Sequence, residues 1–323
     1  MSEAVNNGTG VDVAPPSLIP LILHMEGCAT QEEMNANVAE TVKRGFTGVF
    51  DLFNSHKGEV SIVGSGPSIQ ETYKDLKGDI WAINQAIGWL LDKGIVPKWA
   101  MIWDAAEVCE QFAIPHPEIT YLVAARCHPK VFERLKDCNV RVWFPDGDHN
   151  IRDYMVERKI IEPLIKGGSA GVTRAMYFAP LFGYTKLHLF GADSCYSNGK
   201  THVIESLVRE KDIVVWVGNG EGRRAFRTTP EWASQVNEFR DIYHLFTHPS
   251  FNVGVETYGD GMLQYMGAIM KMRKDAGKLW KPDGSPFNPG EDVAKSFSLK
   301  DMGYKASEVS QDELQSTVKN LCN

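Results

Sequence analysis

A chain of 323 residues with 43% hydrophobic and 23% charged side chains is ordinary globular material, long enough for one large domain with a sizeable core or for two small ones. Its 34 basic and 41 acidic residues give a formal charge of −7, which excludes nucleic-acid binding driven by a generally basic surface and leaves open only a local basic groove. Six cysteines stand without a Cys-x-x-Cys pair or zinc-type spacing, and the longest early apolar run, 18–23 with Pro20 inside it, is too short for a membrane span and follows no basic leader segment. These features predict a soluble cytoplasmic protein with reduced thiols.

Residues 1–16 are small and polar and predict a mobile lead-in, because they bury too little to offset the cost of ordering the backbone. Residues 17–58 read as an N-terminal helical extension: Met34, Val38, Val42, Phe46, Val49, Leu52 and Phe53 recur at spacings of three and four, interrupted by Gly45 and Gly48. From 59 to 280 strands and helices alternate. Strands are expected at 60–63, 80–84, 99–103, 120–124 and 140–144, with helices at 69–76, 85–92 and 130–137, then a helix at 172–182 and a strand at 186–190. Such alternation predicts an α/β, Rossmann-like domain with a mostly parallel sheet and helices on both faces. Residues 213–217 and 223–227 flank a glycine-rich tip and predict a hairpin. Thr229 caps a helix opened by Pro230 and running to about 246, so that hairpin and helix form a C-terminal cover. Residues 281–323 make a polar tail with one short amphipathic stretch near 311–321.

The most informative segment is 59–68, EVSIVGSGPS, an apolar strand running into a turn of Gly64, Gly66, Pro67 and Ser68. The two glycines would let a phosphate or ribose approach the main chain, and Pro67 suits the first position of a helix whose free amides point over the turn. A plain βα turn is the competing reading. Ile69 stands where a dinucleotide fingerprint needs its third glycine, and no Lys-Ser or Lys-Thr pair follows, so neither that fingerprint nor a Walker loop is present. A second glycine turn, 166–171 with Gly168 and Ser169, opens the 172–182 helix and suggests a second wall of one pocket. Ligands collect at the carboxyl ends of strands in open α/β sheets, where Gly64, Asn84, Asp104 and, past Gly191, Asp193 all fall; the four converge if their strands are neighbours. Asp193, Tyr196, Asn198 and His202 lie within ten residues of one another, types suited to proton transfer and to stabilising a phosphate leaving group, although Asp193 as a turn cap and His202 as a surface residue would serve no chemistry.

Taken in order, the Gly-x-Gly-Pro-Ser turn, the strand carrying Asn84, KGIVPKWAMIWDA ending in Asp104, GGSAG, and FGYTKLHLFGADSCYSNGKTH resemble the MptE-like domain over roughly 31–267. That family includes archaeal 6-hydroxymethylpterin diphosphokinases and motility accessory factors of flagellin glycosylation, and it is distantly similar to single-Rossmann bacterial sialyltransferases. The resemblance implies Gly64, Gly66, Pro67, Ser68, Asn84, Gly168, Ser169, Gly191 and Asp193 as nucleotide contacts. It offers Tyr196 as a phosphate donor, one place later than the family's tyrosine, and His202 as the histidine after the acidic loop. FRTTPEW and NVGVETYGDGML resemble the late part of the domain that covers the same pocket.

Three other features have plainer readings. Asp146-Gly147-Asp148-His149 has the form of a metal-binding Asp-x-Asp, yet aspartates around glycine are common turn formers. Arg223, Arg224 and Arg227 could clamp a phosphate but more simply solvate a hairpin, and Trp81, Trp89, Trp99 and Trp103 fit a core better than base-stacking platforms. The function expected is transfer of a glycosyl group from a nucleotide-activated donor to a hydroxyl acceptor without a cofactor. In it, Tyr196 would steady the departing phosphate and His202 or Asp104 would take the acceptor's proton. A nucleic acid stays open as acceptor, and no membrane partner is expected. Diphosphate transfer from ATP to a pterin-like alcohol is the alternative, with Mg2+ held by Asp104 or Asp193. A nucleotide-binding module that has lost its reaction is the third reading.

Overall fold

The computed structural model describes residues 29–146, 151–197, 199–204, 213–218, 223–248, 250–277 and 279. The lead-in at 1–16, Cys28, Asp148, His149, Asn198, the hairpin tip at 219–222 and the tail at 281–323 with its amphipathic stretch lie outside those residues.

Eight strands form one parallel sheet: β1 Glu59–Val63, β2 Asp79–Ile83, β3 Trp99–Ile102, β4 Thr120–Ala124, β5 Asn139–Pro145, β6 Leu164–Ile165, β7 Lys186–Phe190 and β10 Gly254–Tyr258. Their spatial order is β10-β7-β1-β2-β3-β4-β5-β6, and every neighbouring pair is parallel. β1 to β6 therefore step away in one direction, after which the chain returns to lay β7 and β10 on the other side of β1. Right-handed crossovers then send the early helices to one face and the helix between β6 and β7 to the other. That reversal between β1 and β7 is a topological switch point, where the carboxyl ends of the strands diverge and leave a crevice.

Helices α2 Ile69–Thr72, α3 Gln85–Asp92 and α4 Pro129–Arg134 belong to the first set of crossovers; α5 Ile151–Glu157 follows β5, and α6 Gly171–Phe182 belongs to the return. The strands read as continuous apolar runs because both faces are covered. On the α6 face an aromatic cluster fills the interior: Phe182 lies 5.4 Å from Trp81 and 5.2 Å from Trp99, and Phe178 lies 5.0 Å from Trp143, ring centroid to ring centroid. The core assignment of Trp81 and Trp99 therefore holds.

The C-terminal cover is the antiparallel hairpin of β8 Ile213–Val217 with β9 Arg224–Thr228, followed by α7 Pro230–Thr247 and α8 Met262–Asp275. Thr229 caps α7 as expected, its side chain accepting from Trp232 N. Arg224 pairs with Asp260, while the Arg223 and Arg227 guanidiniums lie over the rings of Trp216 and Tyr196.

Several boundaries differ from expectation. The helix expected across 31–53 is α1 Gln31–Arg44; Gly45, at φ 79°, breaks it, and a 3-10 turn follows at Phe50–Leu52. α1 is less an appendage than a brace: Asn37 Nδ2 donates to the carbonyls of Ala105 and Arg126, and Thr41 Oγ1 to that of Ala125, tying down the loops that follow β3 and β4. Pro67 does not open a helix. α2 begins at Ile69 with Ser68 at its N-cap and has four residues, so the predicted run of free amides over the turn shrinks to a single short turn. β6, two residues long, and α8, which buries Met262, Leu263, Met266 and Met270 along one face, were not among the expected elements.

Candidate functional site

The order β7-β1-β2-β3 makes neighbours of the four strands that end at Asp193, Gly64, Asn84 and Asp104. A cavity of about 280 Å³ opens at that rim, lined among others by Gly64, Gly66, Asn84, Asp104, Ser169, Gly191, Asp193 and His202. Eight of the twelve residues expected to act there thus meet on one wall or another, while Pro67, Ser68, Gly168 and Tyr196 do not line it.

The first glycine turn has a structural purpose besides the one expected. Gly64 N donates to Phe190 O at 2.8 Å and Gly66 N to Gly191 O at 2.7 Å, so the turns after β1 and β7 lie directly against each other. A Cβ on Gly64 would sit 2.5 Å from Gly191 O, and one on Gly191 would sit 2.4 Å from Gly64 O. These glycines are needed for the two backbones to touch, whatever approaches from above.

Asp193 sits behind that contact, almost fully buried. Its Oδ2 accepts from Ser68 N at 2.8 Å, and its Oδ1 accepts from Ser68 Oγ and from Gln264 Nε2, the latter at 2.8 Å. Burial pushes the Asp193 carboxyl up from its ordinary range, opposed by the Ser68 and Gln264 hydrogen bonds. Ser68 and Asp193 therefore pin α2 and α8 to the switch point, and the carboxylate oxygens are largely engaged within the protein. Gln264 was not legible in the sequence; the only signal was the Gly259-Asp260-Gly261 turn before α8, where a Cβ on Gly261 would collide with Asp193.

Asn84 is placed differently. It stands between β2 and α3 with φ 47° and ψ −119°, a combination that is costly for any residue with a side chain, about 1–3 kcal/mol. The turn presents the amide to the cavity: Nδ2 donates to Asp104 Oδ2 at 2.9 Å, while Oδ1 is buried with no hydrogen-bond partner among the described residues. Ser169 Oγ, in the cavity-lining turn before α6, is likewise buried and unpartnered among them. Buried polar atoms left open in this way carry a cost unless a ligand supplies the missing partner.

Burial pushes the Asp104 carboxyl up, against the pull of Arg126, the Asn84 hydrogen bond and Arg174. A carboxylate raised in this way accepts a proton more readily near neutral pH. The Arg126 and Arg174 guanidiniums lie 4.3 and 4.6 Å from the centroid of the Trp103 ring, and Trp103, half-buried against the core, also lines the cavity. His202 Nδ1 lies 2.9 Å from Thr201 Oγ1, with its ring edge-on to Trp232 of α7. Tyr196 packs on Trp232 and under Arg227, one layer behind the lining, so the geometry does not place it on a phosphate. Burial pushes the Cys195 thiol to about 12, which makes this lining residue an inert wall. Asp146 lies 3.6 Å from Arg152, an ordinary ion pair at a strand end. No cluster of three metal-binding side chains occurs among the described residues, and no helix among them is long and apolar enough to cross a membrane.

A doubly wound parallel sheet whose switch-point cavity carries a strained asparagine, a raised carboxylate and a histidine defines a Rossmann-like α/β protein with a candidate site at the switch point. The model of the family described as 6-hydroxymethylpterin diphosphokinase MptE-like matches residues 32–199, more than half of the chain. The chain belongs to that MptE-like family. No curated protein matches it in sequence. Among solved structures it is similar to the MAf glycosyltransferase from Magnetospirillum magneticum AMB-1, with a TM-score of 0.53 and 19% identity over 72% of this chain and 37% of that one. The likeness is one of fold, and this chain spans little more than a third of that protein's length.

Proposed function

We propose that this protein is a transferase that binds a nucleotide at the switch point and moves a glycosyl group from a nucleotide-activated donor to a hydroxyl acceptor. The observation that carries the reading is Asn84, a cavity-lining residue: a strained strand-to-helix turn holds its amide against Asp104 and leaves Oδ1 buried without a partner among the described residues, a cost that a bound ligand would offset. Ser169 Oγ and Asn84 Oδ1 would take hydroxyls of the bound nucleotide, and the turns after β1 and β7 would form the floor beneath it. Asp104 and His202, which both line the cavity, are the proton acceptors for the attacking hydroxyl; Asp193 and Ser68 hold the floor together. Tyr196 keeps at most an indirect role, supporting the wall that carries Trp232.

The description of the family supports a second reading, diphosphate transfer from ATP to a pterin-like alcohol with Mg2+. Asp104 would then be the metal's carboxylate, since the Asp193 oxygens already accept three hydrogen bonds. A thermal-shift series with CMP, CDP, UDP, GDP and ATP, each with and without Mg2+, tests both. A nucleotide at a hundred times its Kd stabilises the fold by about 2.7 kcal/mol. Stabilisation without metal, together with turnover that survives a chelator, supports glycosyl transfer; a response confined to ATP with Mg2+ supports the diphosphokinase. Full turnover by Asp104→Asn and His202→Ala alike would overturn the assignment of both proton acceptors.

A further inference from the structure

The glycine turn before α6 reads in the sequence as a second wall of the pocket, yet it already holds an anion of the protein's own. Ser169 N donates to Glu238 Oε2 at 2.8 Å, and Thr173 Oγ1 lies 3.4 Å from the same oxygen. A Cβ on Gly168 would lie 2.4 Å from that oxygen, so the glycine is what admits the carboxylate. The N-cap of α6 is Ala170, which makes no side-chain cap of its own. Glu238 belongs to α7, three and six residues beyond Gln235 and Trp232, which line the cavity, so one face of α7 carries all three toward it.

A helix N-terminus attracts anions through its free amides and its dipole, and a carboxylate seated there both satisfies an amide and repels any other negative charge. The wall beside it, with Asn84 Oδ1 and Ser169 Oγ open, offers partners to uncharged hydroxyl or amino groups. We propose that Glu238 is a specificity-determining residue of this cavity: it closes the α6 turn to phosphate, so that a ligand lays its uncharged, hydroxyl-bearing part against α6 and its phosphate away from it, toward the loop of residues 193–202. The proposal rests on the reading of the cavity as a nucleotide site.

The test uses the full chain and inorganic pyrophosphate as probe, with cytidine and CMP as further arms, titrated calorimetrically at low salt. Glu238→Gln keeps an amide oxygen for Ser169 N, and so the cap, while removing the charge; Glu238→Asp keeps the charge on a shorter arm. Glu238→Gln is expected to bind pyrophosphate about five- to tenfold more tightly than the wild type, the size of a charge effect at a partly buried helix end. Glu238→Asp is expected to stay within about twofold of the wild type, and cytidine binding to be unchanged in both variants. Equal pyrophosphate affinity in wild type and Glu238→Gln overturns the proposal, as does an equal gain in Glu238→Asp, which would mark the effect as steric. If neither cytidine nor CMP binds the wild type, the nucleotide reading fails, while the pyrophosphate comparison still decides the role of Glu238.

Discussion

The two ends of β2 show how one strand can be built for stability at its start and for use at its finish. At the amino end, Asp79 Oδ2 is bonded to Lys98 Nζ at 2.6 Å and to the Tyr184 hydroxyl, which also accepts from Trp99 Nε1 at 3.0 Å; every polar group of this cluster has a partner. Burial works against the Asp79 charge, yet the Lys98 and Tyr184 hydrogen bonds outweigh it and hold the carboxyl below its ordinary range. At the carboxyl end, five residues on, Asn84 is strained, one of its two polar atoms is open, and the Asp104 carboxyl beside it is held above its ordinary range. Backbone strain, an unpartnered amide oxygen and a raised carboxyl meet at this one rim of the sheet, which is the physical mark of a candidate site.

The comparison can be broken or sharpened by substitution. The largest effect belongs to the shared core between the two ends. Phe182→Ala removes a fully buried ring that touches Trp81, Trp99 and Phe178, and is expected to cost about 3–5 kcal/mol in urea denaturation. Asp193→Ala leaves Ser68 N and Gln264 Nε2 without their acceptor. It should cost about 2–3 kcal/mol and abolish any thermal shift by a nucleotide, because the floor of the cavity is lost with it.

The rim itself should respond in the opposite sense. Asn84→Gly frees a backbone that only glycine adopts easily, so a gain of about 1 kcal/mol in stability is expected together with loss of the ligand response. An Asn84→Gly chain that is destabilised and still binds would show that the strain has no functional meaning. Asp104→Asn removes a buried charge and is expected to stabilise the fold by about 1 kcal/mol at neutral pH while turnover falls.

The pH dependence separates the two ends once more. A carboxyl whose folded pKa is raised, as for Asp104, weakens the fold above that pKa and ceases to do so as the pH falls through it, so the advantage of Asp104→Asn should shrink between about pH 7 and about pH 4. Asp79, lowered, contributes stability that is present above its unfolded value and is lost as the pH falls through its folded one, so the penalty of Asp79→Asn should shrink toward acid instead. Denaturation curves at about pH 7 and about pH 4 read the Asp104 trend and a further curve at about pH 2, below the unfolded carboxyl value of about 3.9, reads that of Asp79; an Asp79→Asn penalty already gone at about pH 4 would contradict the contrast between the ends of the strand.

Much of the frame could be read from the chain alone. Alternating apolar runs and helical periods gave the parallel sheet, the Thr229-Pro230 start of α7 and the hairpin before it, because strand burial, capping and turn chemistry are local and leave local marks. The candidate positions at strand ends also came together as expected, since parallel strands put all their carboxyl ends on one rim. Sequence could not tell which glycines make room for a ligand and which make room for the protein: Gly64 and Gly191 exist for each other, and Gly168 for Glu238, partners distant along the chain. Nor could it separate Asp193, spent on Ser68 and Gln264, from Asp104, which keeps a place on the open wall. Residue type fixes what a side chain is able to bond, but whether that capacity is already used depends on neighbours that only the folded chain brings within reach.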